Sequence, residues 1–363
     1  MRAPVKFSAR KIFDCANIRE FLASIVQILT VRGYEQARFC ICEYKDVKFL
    51  TKIGFYRKTD AELYKDMPKD VMPHIDAEIQ ILQAFKRDFI DTRQTPCIVE
   101  LIYHNICTDV GKLLPKGSTC DRLMNIGYLS ESPEESVEHT LCAYYDRVQA
   151  GLAHNKVAFM VLEKCDITLD AYLRRGINTP IAIAVLRSIM FMIIHAHYVI
   201  KRKYPGAVHR DAHTSNYMLK FDLKYKFDPK HIRYNVFRVG KHRYAVPYFG
   251  ITPKIIDFGF ASIPELGINS NVVEDRRMMH RRPTNDMITL FHYVYHVSES
   301  DYVNKLLEEL EPTRLFANYS SKYIYEHADE TPSVEQLMES KVWDDYAAIH
   351  PTPAQIFAEY GAK

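Results

Sequence analysis

Two short polar segments, each of which follows an apolar segment, constrain the possible fold of this chain more than any other feature of its sequence. The first, VHRDAHTSN at 208–216, follows a long apolar run at 181–194 and places an aspartate and an asparagine five residues apart. The second, KIIDFG at 254–259, brings the carboxylate of Asp257 to the end of an apolar strand, and Gly259 then lets the backbone turn away. Carboxylate and amide oxygens are ligands that Mg²⁺ accepts, so both segments predict magnesium chemistry.

The residue types in these segments suit phosphoryl transfer. Asp211 can orient and deprotonate an attacking hydroxyl, and Asn216 can ligate Mg²⁺ through its amide oxygen. Asp257 can chelate a Mg²⁺ ion that bridges nucleotide phosphates. Either segment alone is a weak signal, but both together, in this order and with these apolar flanks, form a specific combination.

With HRDxxxxN and DFG both intact, the chain resembles the protein kinases over roughly residues 38–296. The resemblance implies an α+β, two-lobed protein-kinase-like fold, with a strand-rich N-terminal lobe and a mainly helical C-terminal lobe that carries an inserted β-hairpin. It also implies ATP and Mg²⁺ as cofactors, and serine or threonine hydroxyls of proteins as the phosphoryl acceptors.

The resemblance further implies a lysine and a glutamate that hold the nucleotide phosphates. Lys52, with apolar neighbours in FLTKIGF, is the expected lysine, and Lys48 and Lys45 are alternatives nearer the turn. Glu78, on a predicted amphipathic helix, is the expected partner of Lys52. A solvated helix residue would look the same in the sequence, and this alternative stays open.

Two further positions follow from the resemblance. Glu163, Lys164 and Cys165 occupy the place of the kinase hinge, whose backbone groups would bind adenine, and Leu162 would guard the inner pocket. Asp286, at the start of a predicted helix, matches the buried aspartate that holds the catalytic loop of kinases. An acidic residue favoured by the helix dipole is the alternative, and the two roles are compatible.

Two departures from the kinase pattern open other interpretations. Only Gly33 precedes Lys52 where kinases carry a GxGxxG loop, which favours a pseudokinase that acts as a binding or virion structural component. His213 stands where most protein kinases have a lysine, as in haspin-like, aminoglycoside and choline kinases. A small-molecule phosphotransferase is therefore a second alternative, and only a protonated His213 would stabilise the γ-phosphate well.

A basic insert at 220–254 separates the two motifs and reads as added strands, with nine Lys or Arg against two Asp. Its ending, YAVPYFGITPKIIDFG, resembles kinases of large DNA viruses of the pox-, irido- and giant-virus groups. That resemblance implies an intracellular enzyme of the host cytoplasm or virus factory, and one that can be packaged in the virion. Basic and aromatic residues also alternate in single-strand binders, but alternating strand faces, one apolar and one solvated, are the favoured explanation, so a nucleic-acid partner is not expected.

The segment after Asp257 offers two further expectations. It is short and lacks an APE motif, so activation by phosphorylation is not expected. Four arginines follow there, which would favour acidic or phosphorylated substrates or form a solvated face: Arg276, Arg277, Arg281 and Arg282.

The sequence divides into three predicted parts. Residues 1–37 form a helical extension with an amphipathic period over 17–32, and residues 38–165 form the strand-rich lobe with an insertion at 109–155. Residues 166–363 form the second lobe and end in a helical segment. The remaining predicted elements are a hairpin over 38–56, strands at 97–106 and 156–163, and helices at 74–87, 169–175 and 180–200.

Cysteine usage and the apolar run at 181–194 concern the compartment. All eight cysteines lie between Cys15 and Cys165 without a CxxC pair, so reduced, buried thiols of an intracellular protein are expected. Arg187 interrupts the apolar run, which is too short to span a bilayer, and a buried helix is expected instead. The formal charge of +3 does not indicate a nucleic-acid or membrane partner.

Overall fold

A computed structural model describes residues 13, 15, 18–29, 37–58, 71–114, 133–277, 285–318 and 330–361. These residues form an α+β protein, and the predicted fold class is confirmed. The chain makes two compact units. The first unit takes in Met1–Ile79 and Glu100–Lys164, and the second takes in Gln80–Val99 and Cys165–Lys363.

The first unit is built on a five-stranded antiparallel sheet with the strand order β1-β2-β3-β6-β5. The predicted hairpin over 38–56 is confirmed, because β2 pairs with β3 around Lys45 and Asp46, whose φ angles of 50° and 63° suit a tight hairpin turn. The strands of this unit are β1 (Ile25–Leu29), β2 (Ala37–Tyr44), β3 (Val47–Arg57), the short β4 (Val71–Met72), β5 (Leu101–Cys107) and β6 (Ala153–Leu162).

Four helices accompany this sheet: α1 (Arg19–Ser24), α2 (His74–Phe85), α3 (Val110–Leu113) and α4 (Pro133–Gln149). Helix α2 confirms the prediction over 74–87 and continues as a single π-helical turn, Lys86–Ile90. It packs so closely over β3 that a Cβ atom built on Gly54 would lie 2.7 Å from Ile75. The glycine therefore lets the helix carrying Glu78 approach the strand carrying Lys52.

The predicted helix over 17–32 is wrong in its second half. The chain is helical only to Ser24 and then forms β1, which pairs with β2. The spacing of Ile25 and Ile28 fits a helix, but the chain instead pairs with β2 through a strand that is irregular between Ile25 and Gln27. β-Branched residues pack well on such a pleated surface.

The expectation of reduced thiols is also wrong for part of the cysteine set. Cys15 and Cys107, 92 residues apart, form a disulfide that ties the N-terminal segment to β5, and Cys142 is disulfide-bonded as well. The local spacing on which the expectation rested carries no information about a contact this distant in sequence. Among the described cysteines, four are buried and not disulfide-bonded: Cys40, Cys42, Cys97 and Cys165.

The insertion at 109–155 contributes α3 and α4 to the first unit. The Tyr144 hydroxyl lies within hydrogen-bonding distance of three backbone carbonyls, those of Tyr56, His154 and Lys156, at 2.8–3.0 Å. Its ring also packs against Phe55 at a centroid distance of 4.8 Å. These contacts anchor α4 to the sheet, so the described part of the insertion belongs to the core of this unit.

The second unit is mainly helical and is built around the 24-residue helix α6 (Pro180–Lys203). By length and composition α6 could cross a membrane, but 83% of its most apolar stretch is buried inside the protein, as a core helix requires. Thr179 caps the start of α6 by accepting the Ala182 N–H at 3.2 Å. The helices are α5 (Leu169–Leu173), α6 (Pro180–Lys203), α7 (Ser270–Arg277), α8 (Asp286–Ser298), α9 (Asp301–Leu310), α10 (Val334–Met338) and α11 (Asp344–Ala348).

Two small sheets complete the second unit, with the orders β11-β8-β7 and β10-β9-β13. The predicted hairpin of the insert is present as β9 and β10, joined through Gly240 at a φ of 57°. The expectation of a helical C-terminal segment is wrong at its end, where β13 pairs in parallel with β9. The strands are β7 (Ile167–Thr168), β8 (Tyr217–Phe221), β9 (Tyr234–Val239), β10 (His242–Pro247), β11 (Ile251–Ile255), β12 (Ile268–Asn269) and β13 (Ile356–Tyr360).

An aromatic cluster joins α6, the insert and the C-terminal helices. Phe191 of α6 is fully buried, and its ring centroid lies 5.2–5.7 Å from the centroids of Phe237, Tyr244, Trp343 and Tyr346. Aromatic pairs at this spacing stabilise a core beyond the area they bury. The cluster therefore makes the insert an integral part of the second unit.

Candidate active site

The first half-site, in the first unit, consists of a buried ion pair. Lys52 points from β3 toward α2, and its Nζ lies 2.8 Å from both carboxylate oxygens of Glu78. Lys52 is 4% exposed and Glu78 is 1% exposed. Burying two charges costs several kcal/mol of desolvation, so such a pair is better evidence of a functional role than of added stability.

The same geometry separates Lys52 from its two alternatives. Lys48 is exposed and pairs with Glu43 at 3.3 Å, and Lys45 occupies the exposed hairpin turn. The solvated interpretation of Glu78 is wrong, since its carboxylate is buried against Lys52. The structure therefore brings the predicted lysine and glutamate together, and their role toward phosphates stays a prediction.

The predicted hinge residues lie at the end of β6 and just after it. The Glu163 N–H donates to the Glu100 carbonyl at 3.0 Å, and the Glu163 carboxylate accepts the Glu100 N–H at 2.9 Å. The Glu163 N–H is thus already engaged within the protein. Leu162 is buried at the last position of β6, and Cys165, at the first position of the second unit, is buried and not disulfide-bonded. Their contact with adenine stays a prediction.

The second half-site, in the second unit, begins with the loop after α6. Asp286, 7% exposed at the start of α8, accepts the backbone N–H groups of His209 and Arg210 at 2.8 and 2.9 Å. The Asn285 side chain caps the same helix by accepting two backbone N–H groups of its first turn. Asp286 therefore holds the loop from 209 onward through its backbone, as the sequence predicted.

Strand pairing brings the two sequence motifs together. Asn216 immediately precedes β8, and β8 pairs antiparallel with β11, which ends just before Asp257. The Ile256 N–H donates to the Asn216 carbonyl at 3.0 Å, so the asparagine and the aspartate of the two motifs emerge at the same end of this sheet. One backbone hydrogen bond thus joins Asn216 to Ile256, the residue that precedes Asp257.

The side-chain amide of Asn216 is oriented by Asp211. Its Nδ2 donates to the Asp211 backbone carbonyl at 2.8 Å and lies 3.2 Å from the Asp211 carboxylate. The Asn216 Oδ1 atom then points away from these acceptors and suits a hard cation. The oxygen donors of Asn216 and Asp257 are of the kind that Mg²⁺ binds, and their role as metal ligands stays a prediction.

Asp257 has an unusual backbone, with φ 59° and ψ 72° in the left-handed region. A non-glycine residue in this region is uncommon and clusters at functional sites. The His209 ring supports the preceding peptide, because its Nε2 lies 2.8 Å from the Ile256 carbonyl. A carbonyl can only accept, so this nitrogen of His209 carries the proton.

His213 lies beside the catalytic candidate Asp211. Its Nε2 is 3.6 Å from the Asp211 carboxylate, and its ring centroid is 5.8 Å from that of Tyr293 on α8. About a third of the His213 side chain is exposed (31%), so solvent or a ligand can reach the ring. The structure brings His213, Asp211 and Asn216 together in one loop, and the catalytic role of His213 stays a prediction.

Sequence reasoning missed a buried polar layer beneath the loop. The His197 Nε2 atom is 3.0 Å from the Tyr217 hydroxyl, and its Nδ1 is 3.9 Å from the Asp286 carboxylate. Burial lowers the pKa of His197 to about 4, while the Asp286 charge opposes that shift, so the ring is neutral at pH 7. Polar residues in the apolar α6 pattern were the available signal.

Two sequence expectations fall outside what the structure describes. Gly33, discussed in place of a glycine-rich loop, lies between β1 and β2 in the stretch 30–36. Arg281 and Arg282 lie in the stretch 278–284. The side chains of Arg276 and Arg277, although these residues belong to α7, are likewise not described.

No family model matches the sequence. Two proteins of Acanthamoeba polyphaga mimivirus, each named "Putative serine/threonine-protein kinase", are similar to it. One is 26% identical over 334 residues, which cover 86% of this chain and 80% of that protein. The other is 27% identical over 236 residues, which cover 64% of this chain and 46% of that protein, so the similarity spans about half of the second relative.

Among solved structures, WaaP in complex with acyl carrier protein aligns with 95% of this chain and all of that chain. The identity is 12% and the TM-score is 0.39, and a likeness at that level supports no conclusion. The mimivirus relatives agree with the resemblance inferred from the two motifs, and that resemblance is confirmed. The chain is a divergent kinase-like protein similar to proteins that are named as kinases in a giant virus.

Proposed function

We propose that this protein transfers the γ-phosphoryl group of ATP to serine or threonine hydroxyls of proteins. The observation that carries the proposal is the pairing of β8 with β11, which brings Asn216 and Asp257 to the same end of the sheet. The Asn216 side chain is also hydrogen-bonded to Asp211. The names of the two mimivirus relatives support the same reaction class.

Each candidate residue has a distinct task in this proposal. Asp211 would orient the acceptor hydroxyl and receive its proton, and Lys52, held by Glu78, would bind the nucleotide phosphates. Asn216 and Asp257 would hold Mg²⁺, which supplies neutralisation of phosphate charge when bound. The chain itself contributes positioning and electrostatic stabilisation, which supply most of the rate in this reaction class.

The decisive experiment compares wild type with Asp211→Asn in phosphate transfer from γ-labelled ATP to a protein and peptide panel. The substitution keeps the shape of the side chain and removes the base, so the rate should fall about a hundredfold or more. Asp228→Asn, which changes an exposed carboxylate in the basic insert, is the matched control and should keep full activity. Equal rates for wild type and Asp211→Asn, or no transfer by wild type, would overturn the proposal.

A second candidate function is phosphoryl transfer to a small-molecule alcohol. His213, which is accessible beside Asp211, is the observation that favours it, because other kinases of small alcohols carry histidine at the matching position. The same assay with aminoglycosides and choline as acceptors separates the two. Labelling of these alcohols without labelling of protein would replace the first proposal by the second.

The pseudokinase alternative is separated by nucleotide binding. Protein that catalyses no transfer yet gains thermal stability with Mg²⁺ and ATP would act as a binding module. Loss of that gain in Asp257→Ala would locate the binding at the predicted metal ligand. Binding to single-stranded nucleic acid that weakens steeply with salt would indicate the less expected nucleic-acid function.

We also propose that the protein works inside the infected cell, in the host cytoplasm or virus factory, because both relatives are viral. The Cys15–Cys107 disulfide makes this testable, since disulfides are rare in reducing compartments. Alkylation of free thiols in infected cells, followed by mass spectrometry of cells and purified virions, would give the redox state and show whether the protein is packaged.

A further inference from the structure

We propose that Asn269 and Asn271 are positioning residues that hold the turn after Asp257, so that the site is ready for metal without phosphorylation of the chain. The inference rests on the proposed function, because it concerns the aspartate assigned there to Mg²⁺. We call this pair of asparagines the amide clamp.

The need for a clamp follows from the backbone of Asp257. A non-glycine residue in the left-handed region is destabilised by about 1–2 kcal/mol, and it persists only where the surrounding contacts leave no alternative. On the upstream side, both backbone polar groups of Ile256 are engaged. Its N–H donates to the Asn216 carbonyl, and its carbonyl accepts from the His209 ring. Contacts on the downstream side add to this constraint on the Asp257 backbone.

The amide clamp supplies the downstream contacts. Asn269 Nδ2 donates to the carbonyls of Gly259 and Ala261 at 3.1 and 3.2 Å, and Asn271 Nδ2 donates to the same Gly259 carbonyl at 2.9 Å. A carbonyl oxygen has two lone pairs, so the two amides together saturate the Gly259 acceptor, two residues after Asp257.

The two asparagines are also oriented by each other. The Asn271 backbone N–H donates to Asn269 Oδ1 at 2.9 Å, which leaves the Nδ2 of Asn269 facing the turn. Asn269 is 3% exposed and Asn271 is 6% exposed. A buried side-chain amide without partners costs about 1–3 kcal/mol, so both side chains are confined to this arrangement.

A second contact closes the segment that the clamp holds. Val208 and Ser262 exchange two backbone hydrogen bonds of 2.8 Å each, which fasten the chain after the turn to the residue that precedes His209. The turn is thus fixed to the catalytic loop at 208 and to the amide clamp at 269–271. None of these contacts involves a charged group or a phosphate, so the arrangement needs no modification to form.

The test uses Asn269→Asp and Asn271→Asp in the full chain, because aspartate keeps the shape, removes the N–H donors and sets a negative charge against the Gly259 carbonyl. Nucleotide-dependent Mn²⁺ binding, followed by electron paramagnetic resonance with ATP present, is the readout besides activity. Each variant should bind Mn²⁺ at least about tenfold more weakly, while ATP binding without metal stays unchanged. At pH 5.5 part of the lost affinity, relative to wild type, should return as the carboxyl is protonated.

Asn235→Asp is the matched control, because Asn235 is equally buried (1%) but lies on β9 in the insert. It should lower thermal stability without changing Mn²⁺ affinity. If an aspartate variant fails to fold, as judged by Trp343 fluorescence, Asn271→Ser removes the same donor without adding charge and should give the same loss.

The outcomes separate this inference from the proposed function. If Mn²⁺ binding depends on the amide clamp but the protein transfers no phosphate, the proposed function is wrong and the inference about the clamp stands. If wild type is active and all three clamp variants keep the wild-type Mn²⁺ affinity, only the inference about the clamp is wrong. Loss of Mn²⁺ binding after phosphatase treatment of wild type would overturn its independence from phosphorylation.

Discussion

The two half-sites are held in opposite ways. In the first unit, a buried ion pair with Glu78 holds the Lys52 side chain. In the second unit, the loop and the Asp257 turn are held through backbone groups by Asp286, His209 and Asn216. A half-site built on one charge pair should lose most of its stability at a single substitution, whereas a half-site held by several hydrogen bonds to backbone groups should weaken by degrees.

The largest effect is expected when that ion pair is broken. Glu78→Gln removes the carboxylate that lies against the buried Lys52 ammonium and should lower the free energy of unfolding by about 4 kcal/mol. Hydrogen exchange of β2 and β3 would localise the loss to the first unit. Glu43→Gln, which removes the exposed partner of Lys48, is the control and should cost about 0.5 kcal/mol.

A double substitution sharpens this expectation. Lys52→Met with Glu78→Leu removes both charges and should recover most of the stability lost in Glu78→Gln, while phosphoryl transfer stays absent. Such a result would show that the pair is retained for function. Recovery of activity together with stability would contradict the phosphate-binding role of Lys52.

The next effect concerns the disulfide, which belongs to the first unit alone. Cys15→Ser with Cys107→Ser opens a long loop in the unfolded chain and should lower the stability of this unit by about 3 kcal/mol. Trp343, the single tryptophan, lies in the second unit, so its fluorescence transition in urea should stay where it is. A shift of both transitions would mean that the units unfold together.

A smaller effect is expected on the pH dependence of stability, and it concerns the second unit. His195 is enclosed by aromatic rings in the second unit, and burial lowers its pKa to about 3. The unfolded chain takes up a proton near pH 6.5 while the folded ring stays neutral, so stability falls as the pH falls from 6.5. His195→Phe should abolish about 2 kcal/mol of that loss at pH 5.

The smallest effect is expected at the cap of α8. Asn285→Ala removes the side chain that accepts the Met287 and Ile288 N–H groups and should cost about 1 kcal/mol. Because Asp286 is the next residue, activity should fall modestly, by less than about tenfold. Urea unfolding followed by Trp343 fluorescence measures the first quantity, and the transfer assay measures the second. A complete loss of activity would mean that the second half-site depends on single contacts after all.

The comparison also explains which parts could be predicted from the sequence. Asp211, Asn216 and Asp257 lie in contiguous motifs whose residue types state their chemistry, and the hairpin around Lys45 and Asp46 is fixed by local turn preferences. The structure places these residues where the motifs require them. Their catalytic and metal-binding roles stay predictions until transfer and binding are measured.

What escaped prediction depends on contacts between residues distant in sequence. The Cys15–Cys107 disulfide, the pairing of β13 with β9 and the change from α1 to β1 all depend on partners that local periodicity does not contain. The amide clamp escaped for a related reason. Asparagine is common in loops, and only the meeting of Asn269 and Asn271 at one carbonyl sets these two apart.

The parallel pairing of β13 with β9 has a consequence for biosynthesis. A ribosome makes the insert strand β9 well before β13, and the intervening sequence includes the helices that carry Asp286 and Trp343. During synthesis, the sheet of β9 and β10 therefore keeps one edge of β9 unpaired until β13 emerges. An unpaired strand edge can associate with other chains. Translation that stops before β13 should accordingly yield a chain that depends on chaperones, even though every candidate catalytic residue has already been synthesised.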